Sequence, residues 1–146
     1  MKVTLKPGNK LSVMVVDDEE DIRETLKMFL EMMDIFTFIV EAEDGSDGLR
    51  KAENQSFDLI ITDLMMPKVR GIELIQKLRS YEEKKGEYRT PIAILSANVT
   101  SEEVQKAIHF GVKYVVTKPC SAEDFVEKVQ NILIKEKRDK IKVIKA

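Results

Sequence analysis

Five side chains, spread along 146 residues, carry groups suited to handling one small anion. They are the adjacent carboxylates of Asp17 and Asp18, the carboxylate of Asp63, the hydroxyl of Ser96 and the ammonium of Lys118. Three carboxylates drawn together repel one another, so they must share protons, stay hydrated or hold a cation. No histidine or thiolate stands close to the three aspartates in sequence, and an oxygen-only donor set favours magnesium over zinc. Magnesium also keeps several of its waters and suits phosphate chemistry. With the metal and Lys118 on the oxygens of an incoming phosphoryl group and a hydroxyl donor from Ser96, a carboxylate can attack in line. Asp63 is the best placed nucleophile.

Such chemistry needs a fold that gathers these residues. Short β-branched runs alternate five times with amphipathic stretches, the pattern of an α/β fold in which helices cover both faces of a parallel sheet. Strands are expected at Leu11 to Val16, Phe36 to Glu41, Phe57 to Thr62, Ile92 to Leu95 and Lys113 to Thr117. The third is almost wholly apolar and so reads as buried on both faces. Helices are expected with Ile22, Leu26, Phe29, Leu30 and Met33 inward, then through Leu49 and Ala52, then with Ile72, Ile75 and Leu78 inward. Thr100 with Glu103, and Ser121 with Asp124, form capping patterns for the fourth and fifth helices; Gly111 ends the fourth. The polar segment Tyr81 to Thr90 reads as an exposed loop. In open parallel sheets ligands collect beyond the carboxyl ends of strands. Strand one ends in Asp17-Asp18, strand three in Asp63, strand four in Ser96 and strand five in Lys118, whereas strand two ends without a comparable group.

Each residue alone has an ordinary explanation. The run Asp17-Asp18-Glu19-Glu20-Asp21 suits a helix N-terminus, Asp63 a turn before Pro67, Ser96 a turn hydroxyl and Lys118 a surface charge before Pro119. Their joint placement at four strand ends, with complementary charges, is what points to a site.

Composition bounds the rest. One domain accounts for this length and for an apolar share of 43%. The net charge of −2 gives no general sign of a nucleic-acid or membrane-surface protein. Both ends are nevertheless basic. Lys2, Lys6 and Lys10 lie in the first ten residues without an acid, and the chain ends IKEKRDKIKVIKA. The division expected is a basic extension over 1–10, the folded domain over 11–134 and a basic tail or helix extension over 135–146. Without interleaved aromatics the ends are not expected to bind nucleic acid directly, and a frayed helix end is the reading for the second. One cysteine, Cys120, forms no internal disulfide; no apolar stretch spans a bilayer, and the start lacks a signal-peptide core. A cytoplasmic location with no membrane contact follows as the expectation.

From about Leu11 to Leu133 the chain resembles the receiver domain of bacterial two-component response regulators. The stretches VMVVDDEEDIRETL, FDLIITDLMMPKVRGIEL, PIAILSA and YVVTKP stand in that family's order at close to its usual separations. The resemblance implies a five-stranded flavodoxin-like sheet of order 2-1-3-4-5. It also implies that Asp63 takes a phosphoryl group from a histidine kinase or phosphotransfer protein. Asp18 and Asp63 would ligate Mg2+ by side chain, Met65 by its carbonyl and Asp17 through water, while Ser96 and Lys118 contact the phosphoryl oxygens. The chain would be a switch that assists its own phosphorylation and dephosphorylation, not an enzyme. A downstream protein or a second copy would read it on the face of the fourth helix, fifth strand and fifth helix.

The chain departs from the family in places. An aromatic switch residue usually stands three positions before the lysine, where this sequence has Val115; the aromatic is Tyr114, expected on the opposite face of the sheet. Ser96 is therefore expected to move without an aromatic partner. Val69-Arg70 replaces the common methionine and aspartate, with Arg70 read as a solvated charge. Met65 and Asn98 occupy positions that tune phosphate lifetime in the family. His109 reads as a surface residue and Cys120 as a packed small side chain. The alternatives are a receiver belonging to a longer regulator, a pseudo-receiver that binds partners unphosphorylated, and an aspartyl phosphohydrolase. The last would need a second aspartate two residues after Asp63, where Met65 stands.

Overall fold

The computed structural model describes residues 2–66, 70–86 and 88–145. Along the chain run β1 (Lys2–Leu5), β2 (Ser12–Val16), α1 (Glu20–Met32), β3 (Phe38–Ala42), α2 (Gly45–Asn54) and β4 (Leu59–Asp63). There follow α3 (Gly71–Lys85), β5 (Ile92–Ser96), α4 (Glu102–His109), β6 (Tyr114–Thr117), α5 (Ala122–Glu136) and β7 (Ile141–Ile144). Strands β2 to β6 form one parallel sheet in the order β3-β2-β4-β5-β6, which is the expected order 2-1-3-4-5 among these five strands.

Alternation of side chains across the sheet divides the core. Val13 and Val15 of β2 pack with Leu26 and Leu30 of α1 and Phe125, Val129 and Ile132 of α5. Met14 and Val16 face the other way, among Ile75 and Leu78 of α3 and Val104 and Ala107 of α4. Central β4 is buried along its whole length, as an apolar strand covered on both faces must be. Full burial of each such aliphatic side chain contributes about 1.5–3 kcal/mol, so the sheet is well stabilised where the site residues leave it. Gly71 makes one approach that no other residue allows: a Cβ there would lie 2.1 Å from the Asp63 carbonyl oxygen. Helix α3 can therefore start directly against the end of β4.

Three expectations are corrected. The segment Tyr81 to Thr90 is not all loop: α3 continues to Lys85 and ends at Gly86, whose φ of 66° suits glycine. The acid that makes this stretch look exposed, Glu82, is buried; it pairs with Arg79 at 2.7 Å and accepts from the Thr90 amide and hydroxyl. The cap of α4 is Ser101 rather than Thr100, with its Oγ accepting from Val104 N. Thr100 instead donates to Asn98 Oδ1.

The largest correction concerns the two ends. Residues beyond Glu136 are neither a tail nor a helix extension, since β7 pairs antiparallel with β1, Val3 opposite Val143 and Leu5 opposite Ile141. Val3 and Ile141 then join the α1/α5 side of the core. The ends carry +3 and +4 of formal charge, leaving −9 on the body of a chain of net −2. Ion pairs from Lys137 and Lys140 to Asp58 tie this basic ribbon to the start of β4. No helix among the described residues is long and apolar enough to cross a membrane.

Candidate functional site

Parallel strands deliver their carboxyl ends to one edge of the sheet. Asp17 follows β2, Asp63 ends β4, Ser96 ends β5 and Lys118 follows β6, with Asp63 in register with Leu95 and Ser96 with Thr117. One carboxylate oxygen from each of Asp17, Asp18 and Asp63 lies within 4.8 Å of the other two. Lys118 Nζ donates to Asp63 Oδ2 at 2.9 Å and to Asp17 Oδ2 at 3.4 Å. A single ammonium thus serves two carboxylates, and none of the ion pairs among the described residues reaches the exposed Asp18.

Asp17 is fully buried, and burial above all pushes its carboxyl above the usual range, with the negative charge of Asp63 adding to the shift. The Glu19 amide, donating to Asp17 Oδ1 at 2.9 Å, and Lys118 offset this only in part. Burial draws Lys118 toward its neutral form, but its hydrogen bond to Asp63 and the charges of Asp17 and Asp63 outweigh that and hold it above its ordinary value. Among the described residues the cluster is therefore short of positive charge. Three oxygen donors around one unfilled deficit fit a hard divalent cation, which supplies charge without needing nitrogen or sulfur ligands.

The remaining residues are placed as follows. Met65 is beside the cluster through its backbone N–H, which donates to Asp63 Oδ1 at 3.1 Å, while its side chain is exposed. Ser96 reaches Lys118 through the backbone, its carbonyl accepting from Lys118 N at 2.9 Å. Its hydroxyl turns instead to the loop before α4, donating to Asn98 O and accepting from Asn98 N. Tyr114 lies on the α1/α5 side and Val115 on the other, as alternation requires. The Tyr114 hydroxyl donates to Glu136 Oε1 at 3.0 Å, well along α5. Arg70 is exposed and 4.0 Å from Glu103 Oε1 of α4; Val69 and Pro67 lie outside the described residues. His109 is exposed at the end of α4, and Cys120 is half-buried with its thiol pushed up by burial and then by Asp124.

Two residues escape a reading based on strand ends. Arg23 Nη1 donates to the Asp17 carbonyl at 2.6 Å, and its Nε lies 3.4 Å from Glu41 Oε1 on β3. Strand β3 therefore does contribute to this edge, at one remove. The signal available in sequence is the spacing of Arg23 six residues after Asp17, which places it one turn into α1 and facing back over the strand end.

Comparisons with known proteins converge. The family model for the response regulator receiver domain matches residues 13–130. The transcriptional regulatory protein ResD of Bacillus subtilis is 36% identical over 125 residues, covering 86% of this chain and 49% of that protein. The chemotaxis protein CheY of Pseudomonas aeruginosa is 30% identical over 122 residues, covering 84% of this chain and 95% of CheY. The chain thus spans about half the length of the first relative and nearly all of the second. Among solved structures, the Vibrio cholerae chemotaxis response regulator CheY4 matches with a TM-score of 0.75 and 29% identity, over 86% of this chain and 100% of that one.

Proposed function

The chain belongs to the response regulator receiver domain family of two-component signalling, and on that premise we propose that it is a phospho-accepting switch whose acceptor is Asp63. The donor is a phosphohistidine on a histidine kinase or phosphotransfer protein, met in the cytoplasm. An Asp63 carboxylate oxygen attacks phosphorus, the P–N bond breaks as the P–O bond forms, and the imidazole leaves with the electron pair. The observation that carries this reading is the pairing of Asp63 with Lys118 inside a three-carboxylate cluster that needs more positive charge.

Asp18 and Asp63 would hold Mg2+ by side chain, the Met65 carbonyl would be a third protein ligand, and Asp17 would act through water. When bound, Mg2+ supplies charge neutralisation for the phosphoryl oxygens. Lys118 keeps its proton throughout and moves from two carboxylates toward the phosphoryl group. Ser96 must release the Asn98 carbonyl to donate to that group, which draws the loop before α4 toward Asp63. The acyl phosphate brings up to about two negative charges, enough to bias a local two-state rearrangement. The chain is accordingly a switch that assists its own phosphorylation and dephosphorylation rather than an enzyme. Its output face comprises α4, β6 and α5, read by a downstream protein or a second copy. Ser96 moves without an aromatic partner; phosphate-free and phosphate-bound structures in which Tyr114 swings in behind Ser96 would overturn that point. ResD, about twice as long as its match to this chain, supports a second reading, in which the same switch serves a longer regulator.

Intact mass spectrometry after incubation with a small acyl phosphate and Mg2+ tests the proposal. Wild type gains one phosphoryl group and Asp63→Asn gains none. A wild type that stays unmodified, or a variant modified equally, overturns the assignment.

A further inference from the structure

We propose that Arg23, anchored by Glu41, is a positioning residue that orients the Asp17–Asp18 peptide so that the acidic cluster converges on a divalent cation. This rests on the reading of that cluster as a Mg2+ site. Asp17 is the hinge of the cluster: its amide donates to the Ala42 carbonyl at 3.1 Å, and its Oδ1 accepts from Glu19 N. Its carbonyl is the last backbone acceptor before the chain turns out to the exposed Asp18, and Arg23 Nη1 donates to it at 2.6 Å. A peptide unit is planar, so holding the Asp17 carbonyl also sets the direction in which the Asp18 N–H and Cα leave it. The exposed Asp18 has no ion pair of its own among the described residues, and its approach to Asp17 and Asp63 depends on that backbone direction.

Arg23 is itself held in place. Its side chain is only 14% exposed, and its Nε pairs with Glu41 Oε1 at 3.4 Å. Glu41 is fixed in turn by Lys27, 3.9 Å from its other oxygen, and by Lys51 Nζ, which donates to the Glu41 carbonyl at 2.6 Å. One planar guanidinium therefore spans from the end of β2 to the edge strand β3. Lysine, with a single compact donor group, cannot span both at once.

Positioning and simple electrostatics predict opposite outcomes here, which makes the claim sharp. A cation near a metal site repels the metal, so if charge alone mattered Arg23→Ala would bind Mg2+ more tightly. If Arg23 orients the ligands, Arg23→Ala binds Mg2+ about 10–100-fold more weakly, the usual loss when a group supporting metal ligands is removed. Arg23→Lys, which keeps the charge, recovers only part of this. Glu41→Gln, which loosens the anchor, falls between wild type and Arg23→Ala.

The experiment is Mg2+ titration by calorimetry, without any phosphodonor, paired with amide hydrogen exchange on the metal-free proteins. Weaker binding in Arg23→Ala, with faster exchange at Asp18 and Glu19 and unchanged exchange at Ile61 and Ile94, supports the proposal. Equal or tighter Mg2+ binding in Arg23→Ala overturns it. General loosening, with core exchange rising as well, also overturns it, because the role is then only structural. If wild type binds no divalent cation, the Mg2+ reading fails on its own, and exchange at Asp18 and Glu19 judges the positioning claim. Faster exchange in Arg23→Ala sustains it, and unchanged exchange overturns it.

Discussion

Strand β4 has an aspartate just before its start and another at its end. Asp58, at the base of the sheet, accepts from Lys140 Nζ at 2.8 Å and from the Ser12 amide at 2.8 Å, with Lys137 Nζ 3.4 Å away. Burial pushes its carboxyl up, yet the Lys140 and Ser12 hydrogen bonds and the two ammonium charges outweigh burial and hold it below the usual range. Asp63, at the other end, shares one ammonium with Asp17 and stands beside Asp18 as well. Among the described residues, one carboxylate with two lysines is complete as it stands, whereas three carboxylates with one lysine are not. The same residue type, a few positions apart on one strand, is a structural lock where cations are in surplus and a member of a crowded acidic cluster where they are short. The surplus comes from the segment after α5, which supplies both Lys137 and Lys140.

The comparison breaks most visibly if Asp58 is not a lock. Asp58→Ala leaves the Lys137 ammonium and the partly exposed Lys140 ammonium without their carboxylate, and breaking a fully buried pair costs about 3–5 kcal/mol, an upper bound here. We expect about 3 kcal/mol in urea unfolding, with amide exchange in β1 and β7 rising most because Lys140 anchors that ribbon. A loss under about 1 kcal/mol would show that the pairs are only surface decoration.

The acidic edge should respond with the opposite sign. Because the neutral form of Asp17 is favoured by its burial, Asp17→Asn removes an unfavourable charge and should leave the metal-free protein as stable as wild type or up to about 1 kcal/mol more so. The same substitution should weaken Mg2+ binding. A variant both less stable and unchanged in Mg2+ affinity would place Asp17 with Asp58, as structure rather than site.

Acid separates the two ends in a single titration. Asp58 has a folded pKa below its ordinary 3.8, so its stabilisation is present above 3.8 and is lost as pH falls through the lower folded value. Asp17 has a folded pKa above 3.8, so its contribution is full below 3.8 and is lost as pH rises through the raised value. Acidifying from neutrality toward 4 should therefore relieve the edge before it weakens the base. Unfolding free energies measured between pH 3 and 7 should lose their early rise in Asp17→Asn and their later fall in Asp58→Asn. Identical pH profiles in all three proteins would remove the contrast.

Much of this was legible in the sequence because it is local. Apolar runs mark β2 to β6, and the charged or hydroxyl residue closing each of four runs marks the candidate edge, so Asp17, Asp18, Asp63 and Lys118 meet as their positions suggest. What escaped depends on partners far along the chain. Lys2 pairs with Ile144 across nearly the whole length; each end alternates polar and apolar residues as a strand does, but four residues of alternation do not identify a partner so far along the chain. Glu82 reads as solvent-facing until Arg79 and Thr90 are seen to enclose it. Ser96 stands at the expected strand end, yet its hydroxyl direction is set by a loop carbonyl that sequence leaves open.

The smallest expected effect tests whether Tyr114 belongs to the base or to the switch. Its ring is buried on the α1/α5 side and its hydroxyl is tied to Glu136, so burial, the Glu136 hydrogen bond and the Glu136 charge together push it up to about 12. Its contribution is thus present below 10 and is lost as pH rises through about 12. Tyr114→Phe removes that hydrogen bond alone and should cost about 1 kcal/mol at neutral pH. Ultraviolet titration of the folded wild type should show one tyrosine ionising near 12, a step missing from the variant. Phosphoryl gain at Asp63 and its decay should be the same in both, because Val115, not Tyr114, occupies the sheet face toward α4. A changed decay rate in Tyr114→Phe would mean that the base and the edge of β4 communicate through β6, and the separation of lock from site would have to be given up.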